Sequence, residues 1–305
     1  MQQAQKALVV PTLNAGAAWR SWLAALKRQT LKPDVMIVID SSSDDDTVEF
    51  AREYGFQVEI IARKEFNHGT TRQYTIELIP NVEIVVFLTQ DAILADARAL
   101  ENLVRALDDP SVGVSYGRQL PHKDATPIAA HARLYNYPSN SRLKSAKDIP
   151  ELGLKTAFCS NSMAAYRKSA LLRCGGFPSE TIVNEDMYVA AKMLLGGWKV
   201  AYCADAQVYH SHNYTYVEEF SRYFDQGVFH ARQPWLKKEF GSVEGEGFMF
   251  VFSEFRYIGA RHIHLIPNII IRTALNYLGY KLGKLEKHLS LALKRRLSMH
   301  SHYWG

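Results

Sequence analysis

Two aspartates each follow a run of apolar, β-forming residues. Asp40 ends the segment DVMIVID, and Asp91 follows the run Ile84–Leu88 in VEIVVFLTQDA. A carboxylate at the edge of such a core needs a partner, because an unpaired charge there has a large desolvation cost. Asp91 is therefore either a loop or helix-capping residue, or a cation ligand at the carboxyl ends of parallel strands, where α/β sheets bind ligands.

The two carboxylates suit a nucleotide ligand. One can accept a hydrogen bond from a pyrimidine ring, and the other can hold a divalent ion that neutralises a diphosphate. In the segment NHGTTR, Gly69 allows close approach of the backbone to a ligand, and His68 and Arg72 can meet phosphate. The alternative is a capped helix start with an exposed arginine.

A second group of candidates lies further along the chain. Glu185 and Asp186 are adjacent at a predicted helix start in NEDM. They either complement the helix dipole, or one of them acts as general base toward an acceptor hydroxyl. His210 closes a predicted strand in VYHSH, close to His212, and is either structural or a metal ligand.

Alternating strands and helices must position these residues. Short apolar strands are predicted over residues 7–10, ended by Pro11, and over 34–40, 56–62 and 82–88, with helices between them and Asn14 as the first helix cap. This alternation indicates a doubly wound, mostly parallel sheet. The segment 111–153 is predicted to be loop-rich and partly mobile. A strand and short helix, a helix over Glu185–Leu195 and a strand to His210 follow.

Composition narrows the class of protein. The 305 residues are 47% hydrophobic and 22% charged, which is ordinary for a globular chain. Three scattered cysteines (Cys159, Cys174 and Cys203) lack metal-ligand spacing and fit a reduced, cytosolic compartment. The N-terminus does not read as a signal peptide, and no apolar run is long enough to span a bilayer.

The C-terminal region is basic and predicted to be helical. From Phe255 to Gly305 nine Lys/Arg face one Glu, so this tail carries about +8 and the rest about −3. Leucines and isoleucines recur at 3, 4 and 7 spacing from Ile269 to Leu293. This basic amphipathic pattern predicts contact with an anionic membrane surface; the alternative is packing on the catalytic domain or a second subunit. No nucleic-acid module is present, so nucleic acid is not an expected partner.

The order of VVPTLNAG, VIDSSSDDDT, FLTQDA, NED and VYHSH resembles family 2 glycosyltransferases with a GT-A fold, over about residues 6–215. FNHGTTRQ, FLTQDA, FCSNSMAAYRK and LSMHSHYW are more narrowly similar to bacterial rhamnosyltransferases of O-antigen or capsule assembly, which use dTDP-L-rhamnose. The resemblance implies a catalytic GT-A domain over residues 1–217, with a nucleotide-sugar half (about 1–115) and an acceptor half (about 116–217). A helical C-terminal region follows over 218–305.

The resemblance also implies roles. It implies an inverting transfer from a nucleotide sugar with Mg²⁺ or Mn²⁺, in which a base deprotonates the acceptor hydroxyl. The implied residues are Pro11, Thr12 and Asn14 in the first nucleotide loop; Asp40, which reads the pyrimidine, with Ser42 nearby; His68, Gly69 and Arg72 at the base or diphosphate; Thr89 and Gln90 at the donor; Asp91 and His210 on the metal; Asp186 as general base; and Glu185 beside it in the acceptor site.

The chain departs from the usual pattern at one position. The common motif is Asp-x-Asp, but here it is Thr89-Gln90-Asp91, so the first carboxylate is replaced by a hydroxyl. The resulting hypothesis is a membrane-associated enzyme at the cytoplasmic face that moves L-rhamnose onto a lipid-linked saccharide. The alternatives are a UDP-hexose-dependent transferase and a non-catalytic nucleotide-sugar-binding scaffold subunit. A homo-oligomer is a further expected partnership.

Overall fold

A computed structural model describes residues 5–241 and 244–305. Within these ranges nine strands form one mixed sheet. The strands are β1 (Lys6–Thr12), β2 (Val35–Asp40), β3 (Gln57–Ile60), β4 (Ile84–Leu88), β5 (Ile93–Leu94), β6 (Val112–Leu120), β7 (Arg142–Lys144), β8 (Met163–Arg167) and β9 (Lys199–Tyr209). Their spatial order is β3-β2-β1-β4-β8-β6-β9-β5, and β7 pairs with β9.

Thirteen α-helices lie in the same described ranges, and several short 3₁₀ turns link them. The helices are α1 (Ala18–Lys27), α2 (Thr47–Glu53), α3 (His68–Leu78), α4 (Ala99–Arg105), α5 (Pro127–Asn136), α6 (Ile149–Leu152), α7 (Lys168–Arg173), α8 (Glu185–Leu195), α9 (Tyr216–Arg232), α10 (Pro234–Phe240), α11 (Glu244–Ile258), α12 (Ile266–Lys284) and α13 (Leu291–Leu297).

The first half of the sheet is the predicted parallel unit. Strands β3, β2, β1 and β4 are mutually parallel, and all five residues of β4 are buried, as expected for a strand covered on both faces. The first strand runs two residues further than predicted, through Pro11 to Thr12. Proline is tolerated there because the ladder between β1 and β4 already stops at Val9.

The sequence prediction was wrong in the second half of the sheet. The segment predicted to be loop-rich includes β6, which lies inside the sheet between β8 and β9, and the helix α5. Buried polar residues hide the apolar pattern of β6: the Ser115 hydroxyl donates to the Leu103 carbonyl at 2.7 Å. Gly117 is also needed there, because a Cβ would lie 2.6 Å from the Ala206 carbonyl oxygen.

Two apolar cores cover the sheet. One includes the predicted stripe of α1, where the indole rings of Trp19 and Trp22 stack with centroids 4.7 Å apart. The other includes residues from α8 and extends into α9 and α10 through Phe224, Val228 and Phe240. The C-terminal helices therefore share a core with the sheet, and α9, the first of them, begins at Tyr216; the division at residue 217 stays a prediction.

The basic tail is not one continuous helix. Helix α12 ends at Lys284, and a 3₁₀ turn separates it from α13, so the predicted apolar stripe is broken. Helix α12 packs closely on α9 through glycines: a Cβ on Gly279 would lie 2.5 Å from the Phe220 carbonyl oxygen, and one on Gly283 would lie 2.0 Å from that of Phe224. No helix in the described part of the chain is long and apolar enough to cross a membrane.

Candidate active site

Several strand ends meet at one edge of the sheet. Because β8 runs antiparallel to β4, its first residue, Met163, pairs with Leu88 at the carboxyl end of β4. The parallel pair β6 and β9 ends nearby, where Leu120 pairs with Tyr209. The loops after β1, β2, β4, β6 and β9, and the loop before β8, therefore converge, which is where an α/β sheet binds its ligand.

Asp40 joins the first two of these loops. Its buried carboxylate accepts hydrogen bonds from the Thr12 hydroxyl at 2.7 Å, the Ser43 hydroxyl at 2.6 Å and the Ser43 N–H at 2.7 Å. Both oxygens are thus satisfied within the chain. Asp40 thus holds the two loops together, and its expected contact with a pyrimidine stays a prediction.

Asn14 and Ser42 carry backbone strain in these loops. Both have positive φ, 45° and 60°, a conformation that is uncommon outside glycine and that concentrates at functional sites. Asn14 is not the predicted helix cap: its side-chain oxygen accepts the Asp44 N–H at 2.8 Å. The Arg63 guanidinium, which the sequence did not single out, pairs with Asp44 and donates to the Ser42 carbonyl at 3.0 Å.

Gln90 joins the loop after β4 to the loop after β1. Its side-chain oxygen accepts the Leu13 N–H at 2.7 Å and its amide donates to the Leu13 carbonyl at 3.0 Å. The Thr89 carbonyl accepts the Trp22 indole N–H at 3.1 Å. These contacts hold the two loops together, and the predicted contacts of Thr89 and Gln90 with the donor stay predictions.

Asp91 lies beside two histidines. Its Oδ2 is 3.4 Å from His210 Nε2 and 3.5 Å from His212 Nε2, and the two imidazole nitrogens are 3.2 Å apart. Burial raises the pKa of the Asp91 carboxyl, but the hydrogen bond from His210 and the charge of that ring outweigh burial and hold the pKa below its usual value. Burial lowers the pKa of His212 to about 4, so its imidazole is neutral at pH 7.

The strand register explains this cluster. Ile93 of β5 pairs antiparallel with Tyr209 of β9. This ladder brings the turn that carries Asp91 close to the segment that follows β9 and carries His210 and His212. One carboxylate and two imidazoles are a donor set that binds a divalent metal ion. The residues present therefore fit a metal ion, and His212 lies beside the predicted ligands Asp91 and His210.

A buried ion pair joins the NHGTTR segment to the NEDM segment. The Arg72 guanidinium lies 2.9 Å from Glu185 Oε1, and both side chains are almost fully buried. The side-chain amide of Asn161 donates to the same carboxylate at 2.9 Å. In this structure Arg72 and Glu185 are held by each other and by Asn161, and the contacts expected with a phosphate and with the acceptor stay predictions.

The neighbours of Arg72 are also part of the packing. Asn67 caps α3, accepting the N–H groups of Gly69 and Thr70. Packing within the protein requires glycine at position 69, because a Cβ there would lie 1.8 Å from the Pro178 carbonyl oxygen; its approach to a ligand stays a prediction. His68 is partly buried, and its carbonyl accepts a hydrogen bond from Arg72 at 2.9 Å; its role at a nucleotide stays a prediction.

Asp186 has the environment of a general base. Its Oδ2 accepts the Asn161 N–H at 3.0 Å and its Oδ1 accepts the Met187 N–H at 2.7 Å. Burial, together with repulsion from the Glu185 charge, raises the pKa of the Asp186 carboxyl to about 7. A base whose pKa is close to the working pH combines a useful ionised fraction with affinity for the proton.

A hydrogen-bonded path links the metal-type cluster to this carboxyl group. His210 Nδ1 lies 2.9 Å from the Gln119 side-chain oxygen, and the Gln119 amide donates to the Ser160 hydroxyl at 2.9 Å. The next residue, Asn161, donates to Asp186. The two clusters are therefore neighbours in one site.

Comparison with known proteins identifies the family. The family model described as Glycosyl transferase family 2 matches residues 7–175. The chain belongs to this family. Among its relatives, the O-antigen chain rhamnosyltransferase RfbN of Salmonella typhimurium (strain LT2) is 51% identical over 299 residues, covering 98% of this chain and 95% of that protein. The O-antigen chain rhamnosyltransferase WbaN of Salmonella anatum is 49% identical over the same shares.

Solved structures confirm the GT-A fold of this family 2 glycosyltransferase. The mannosyltransferase PcManGT from Pyrobaculum calidifontis, in complex with GDP-Man and Mn²⁺, matches with a TM-score of 0.58 and 18% identity over 98% of this chain and 84% of that one. Glucosyl-3-phosphoglycerate synthase from Mycobacterium tuberculosis, in complex with Mn²⁺, UDP and glucosyl-3-phosphoglycerate, matches with a TM-score of 0.52 and 17% identity over 78% of this chain and 81% of that one.

Besides Arg63, four residues at the site of this family 2 enzyme were given no role in the sequence prediction. Asn161, His212 and His300 lie inside quoted motifs, so a signal was present without an assigned role. The His300 ring packs edge-on against His68 with centroids 5.1 Å apart, which brings the motif LSMHSHYW to the active site. Gln119 had no signal, since it lies in the strand that was read as loop.

Proposed function

We propose that this glycosyltransferase moves L-rhamnose from dTDP-L-rhamnose onto a lipid-linked saccharide in O-antigen synthesis, with inversion at the anomeric carbon. The observation that carries the proposal is the identity of about 50% to two named O-antigen chain rhamnosyltransferases over nearly the full length of each chain. The site chemistry supports it, because converging strand-end loops, a divalent-cation donor set and a carboxylate with a raised pKa occur together.

Asp186 is the proposed general base. In the transfer, an acceptor hydroxyl oxygen attacks the anomeric carbon while the bond from that carbon to the diphosphate oxygen breaks. The Asp186 carboxylate takes the hydroxyl proton, and dTDP leaves with the electron pair of the broken bond. Its raised pKa (about 7) allows it to be ionised at neutral pH and still accept a proton during the attack.

Glu185 and Arg72 are proposed to position that base. Their ion pair is buried, and its Asn161 partner also donates a backbone hydrogen bond to Asp186. The pair therefore fixes the start of α8, on which the base lies. Keeping Glu185 ionised also raises the proton affinity of Asp186 by repulsion, since like charges at short range disfavour each other.

The donor is proposed to lie against the loops that Asp40, Asn14 and Gln90 hold together, with Thr12, Ser42 and Thr89 among the residues around it. Asp91 and His210 would hold a divalent cation. When bound, that cation neutralises the charge on the diphosphate and assists its departure. The chain's own contribution is to fix Asp91 through the β5–β9 register and His210 through Gln119.

We also propose peripheral attachment to the cytoplasmic face of the membrane. On α11, Phe248, Met249 and Phe252 are 83%, 62% and 68% exposed, and the following segment of the chain is strongly basic. Apolar side chains with nearby basic residues favour an anionic lipid interface, where each Lys or Arg contributes about 1 kcal/mol. This placement moves the predicted membrane contact from the broken tail helix toward α11.

Vesicle co-sedimentation tests this attachment. Binding to vesicles with anionic lipid should exceed binding to neutral vesicles, and Phe248→Ser with Phe252→Ser should reduce it strongly. Leu195→Ser, at an exposed leucine (45% exposed) outside these segments, is the matched control. If the double variant instead lowers the sedimentation mass and leaves vesicle binding intact, the apolar surface joins two copies of the chain.

Transfer of labelled rhamnose tests the function itself. The enzyme is incubated with a lipid-linked O-antigen precursor and, separately, with dTDP-L-rhamnose, UDP-glucose and UDP-N-acetylglucosamine. Transfer from dTDP-L-rhamnose alone is the expected result. Transfer only from a UDP sugar would reject rhamnose as the donor sugar, and no transfer from any donor with purified acceptors would reject the catalytic role in favour of a binding subunit.

A further inference from the structure

We propose that Tyr303, close to the C-terminus, is a positioning residue for the transfer step. Its hydroxyl holds the loop formed by residues 178–184 and thereby fixes the start of helix α8, which carries Asp186. The inference rests on the proposed function, because it concerns the placement of the proposed base. It goes beyond that function by making turnover depend on the C-terminal segment.

The loop before α8 is held by side chains from other parts of the chain. Residues 178–184 lead directly into α8. The Asn67 side-chain amide donates to the Thr181 carbonyl at 3.0 Å, and the Tyr303 hydroxyl donates to the Glu180 carbonyl at 2.6 Å. Two neighbouring carbonyls of the loop are thus fixed by the start of α3 and by the C-terminal segment.

The end of this loop has an uncommon backbone conformation. Asn184, the residue before α8, is left-handed, with φ of 60° and ψ of 31°, and its side chain makes no capping hydrogen bond. A residue other than glycine stays in this region only where the surrounding structure holds it. Asp186 lies two residues further on, so a shift of the loop moves the proposed base.

An ion-pair network holds the Tyr303 hydroxyl. Arg232 Nη1 donates to that hydroxyl at 2.9 Å, and Arg232 Nε donates to Oε1 of the buried Glu286 at 3.0 Å. Lys294 Nζ lies 2.7 Å from the other oxygen of Glu286. Burial raises the pKa of Tyr303, so the hydroxyl keeps its proton at pH 7. It therefore accepts from the guanidinium, which can only donate, and donates its own proton to the Glu180 carbonyl.

The C-terminal segment is anchored on α9 on both sides of Tyr303. The Met299 N–H donates to Oδ2 of the fully buried Asp225 at 3.0 Å. The Arg232 guanidinium lies 5.1 Å from the ring centroid of the buried Trp304. Because these contacts fix the segment, one hydroxyl group is able to hold the loop at a defined position.

The alternative role for Tyr303 is stability alone. Tyr202 offers a matched comparison, because its hydroxyl also donates to a backbone carbonyl, that of Pro138, at 2.6 Å. Removing either hydroxyl deprives a carbonyl of a donor, so the losses of stability should be similar. Of the two hydroxyls, that of Tyr303 contacts the loop before α8, so a positioning role and a purely structural role predict different kinetics.

Transfer kinetics of Tyr303→Phe and the control Tyr202→Phe test the proposal. Each full-length variant is assayed with labelled dTDP-L-rhamnose and the lipid-linked precursor, and its kcat and its KM for the donor are compared with those of wild type. Urea unfolding midpoints verify that each variant is folded. Hydrogen–deuterium exchange of residues 178–188 is measured on the same proteins without substrate.

We expect Tyr303→Phe to lower kcat by about tenfold or more, since a misplacement of about 1 Å can cost about 10²-fold in rate. Its KM for the donor should stay near the wild-type value, because the lost interaction serves the transition state and not donor binding. Exchange of residues 178–188 should become faster. Tyr202→Phe should lower the unfolding midpoint to a similar extent and leave kcat and the exchange of the loop unchanged.

Wild-type kcat for Tyr303→Phe, or an equal fall of kcat in both variants, would overturn the positioning role. If the wild type transfers no rhamnose, the proposed function fails, and the exchange measurement decides the structural link by itself. Faster exchange of the loop in Tyr303→Phe alone would support that link, and unchanged exchange would overturn it.

Discussion

Replacing Asp186 by Asn should remove catalysis and at the same time change how stability depends on pH. In the folded protein the pKa of this carboxyl is raised from 3.8 to about 7. Between about pH 4 and pH 7 the unfolded chain has therefore released a proton that the folded protein still holds. Stability must fall as pH rises through this window and then level off above pH 7, because the slope follows the difference in bound protons.

The magnitude follows from the size of the shift. A shift of about three pKa units corresponds to about 4 kcal/mol, at 1.36 kcal/mol per unit. This is an upper limit, because Asp186 is partly exposed and solvent reduces the penalty; a difference of about 1–2 kcal/mol is expected. Asn keeps one acceptor oxygen but turns its amide toward one of the two N–H donors, which adds a constant cost of about 1–3 kcal/mol.

Urea unfolding of wild type and Asp186→Asn at pH 5, 6, 7 and 8 measures the effect. The free energy of unfolding of the variant, relative to wild type, should rise from pH 5 to pH 7 and stay level at pH 8. Transfer should fall by about 10²–10⁴-fold, the usual contribution of a general base. Parallel pH curves would show that the pKa of Asp186 is not raised, and near wild-type turnover would show that it is not the base.

Three further predictions concern the buried ion pair, the packing of α12 on α9, and the pH dependence of transfer. Arg72→Met should destabilise the fold by about 3–5 kcal/mol in urea, because it leaves a buried carboxylate unpaired, and adding Glu185→Gln should recover part of that loss; a larger loss in the double variant would contradict a buried ion pair. Gly283→Ala should cost about 1–3 kcal/mol through overpacking on α9, whereas the matched Gly247→Ala, with open space around it, should stabilise α11 by up to about 1 kcal/mol. The transfer rate should rise with pH around an apparent pKa of about 7, and a rate that is flat from pH 6 to pH 8 would contradict this titration.

The sequence predicted the parts of the fold in which one residue type repeats. Apolar runs such as Ile84–Leu88 identified the parallel strands, and the helix Glu185–Leu195 was predicted with its observed bounds. The prediction failed at β6, which was predicted to be loop. Ser115 and Gln119 are buried there, and their hydrogen-bond partners come from other segments of the chain. No local pattern records such partners.

At the candidate site, too, some features could be predicted from the sequence and others could not. Asp91 and His210 were chosen because they follow predicted strands, and Asp186 because it lies at a predicted helix start; the roles of all three stay predictions. The contacts that Arg72, Gly69 and Asp40 make within the chain could not be predicted, since a charge or a glycine at a loop looks the same whether its partner is a ligand or another part of the chain. Only the folded chain shows that Pro178 and Glu185 occupy those positions.

The segment Met299–Trp304 folds back onto much earlier parts of the chain. The Tyr303 hydroxyl donates to the Glu180 carbonyl, 123 residues upstream, at 2.6 Å, and the Met299 N–H donates to Asp225 at 3.0 Å. Ribosomes add about 5–20 residues per second, so that separation corresponds to about 6–25 s of synthesis. During this interval the nascent α8 region exists without one of its packing partners, so the enzyme should acquire activity late in translation, after the sheet has formed.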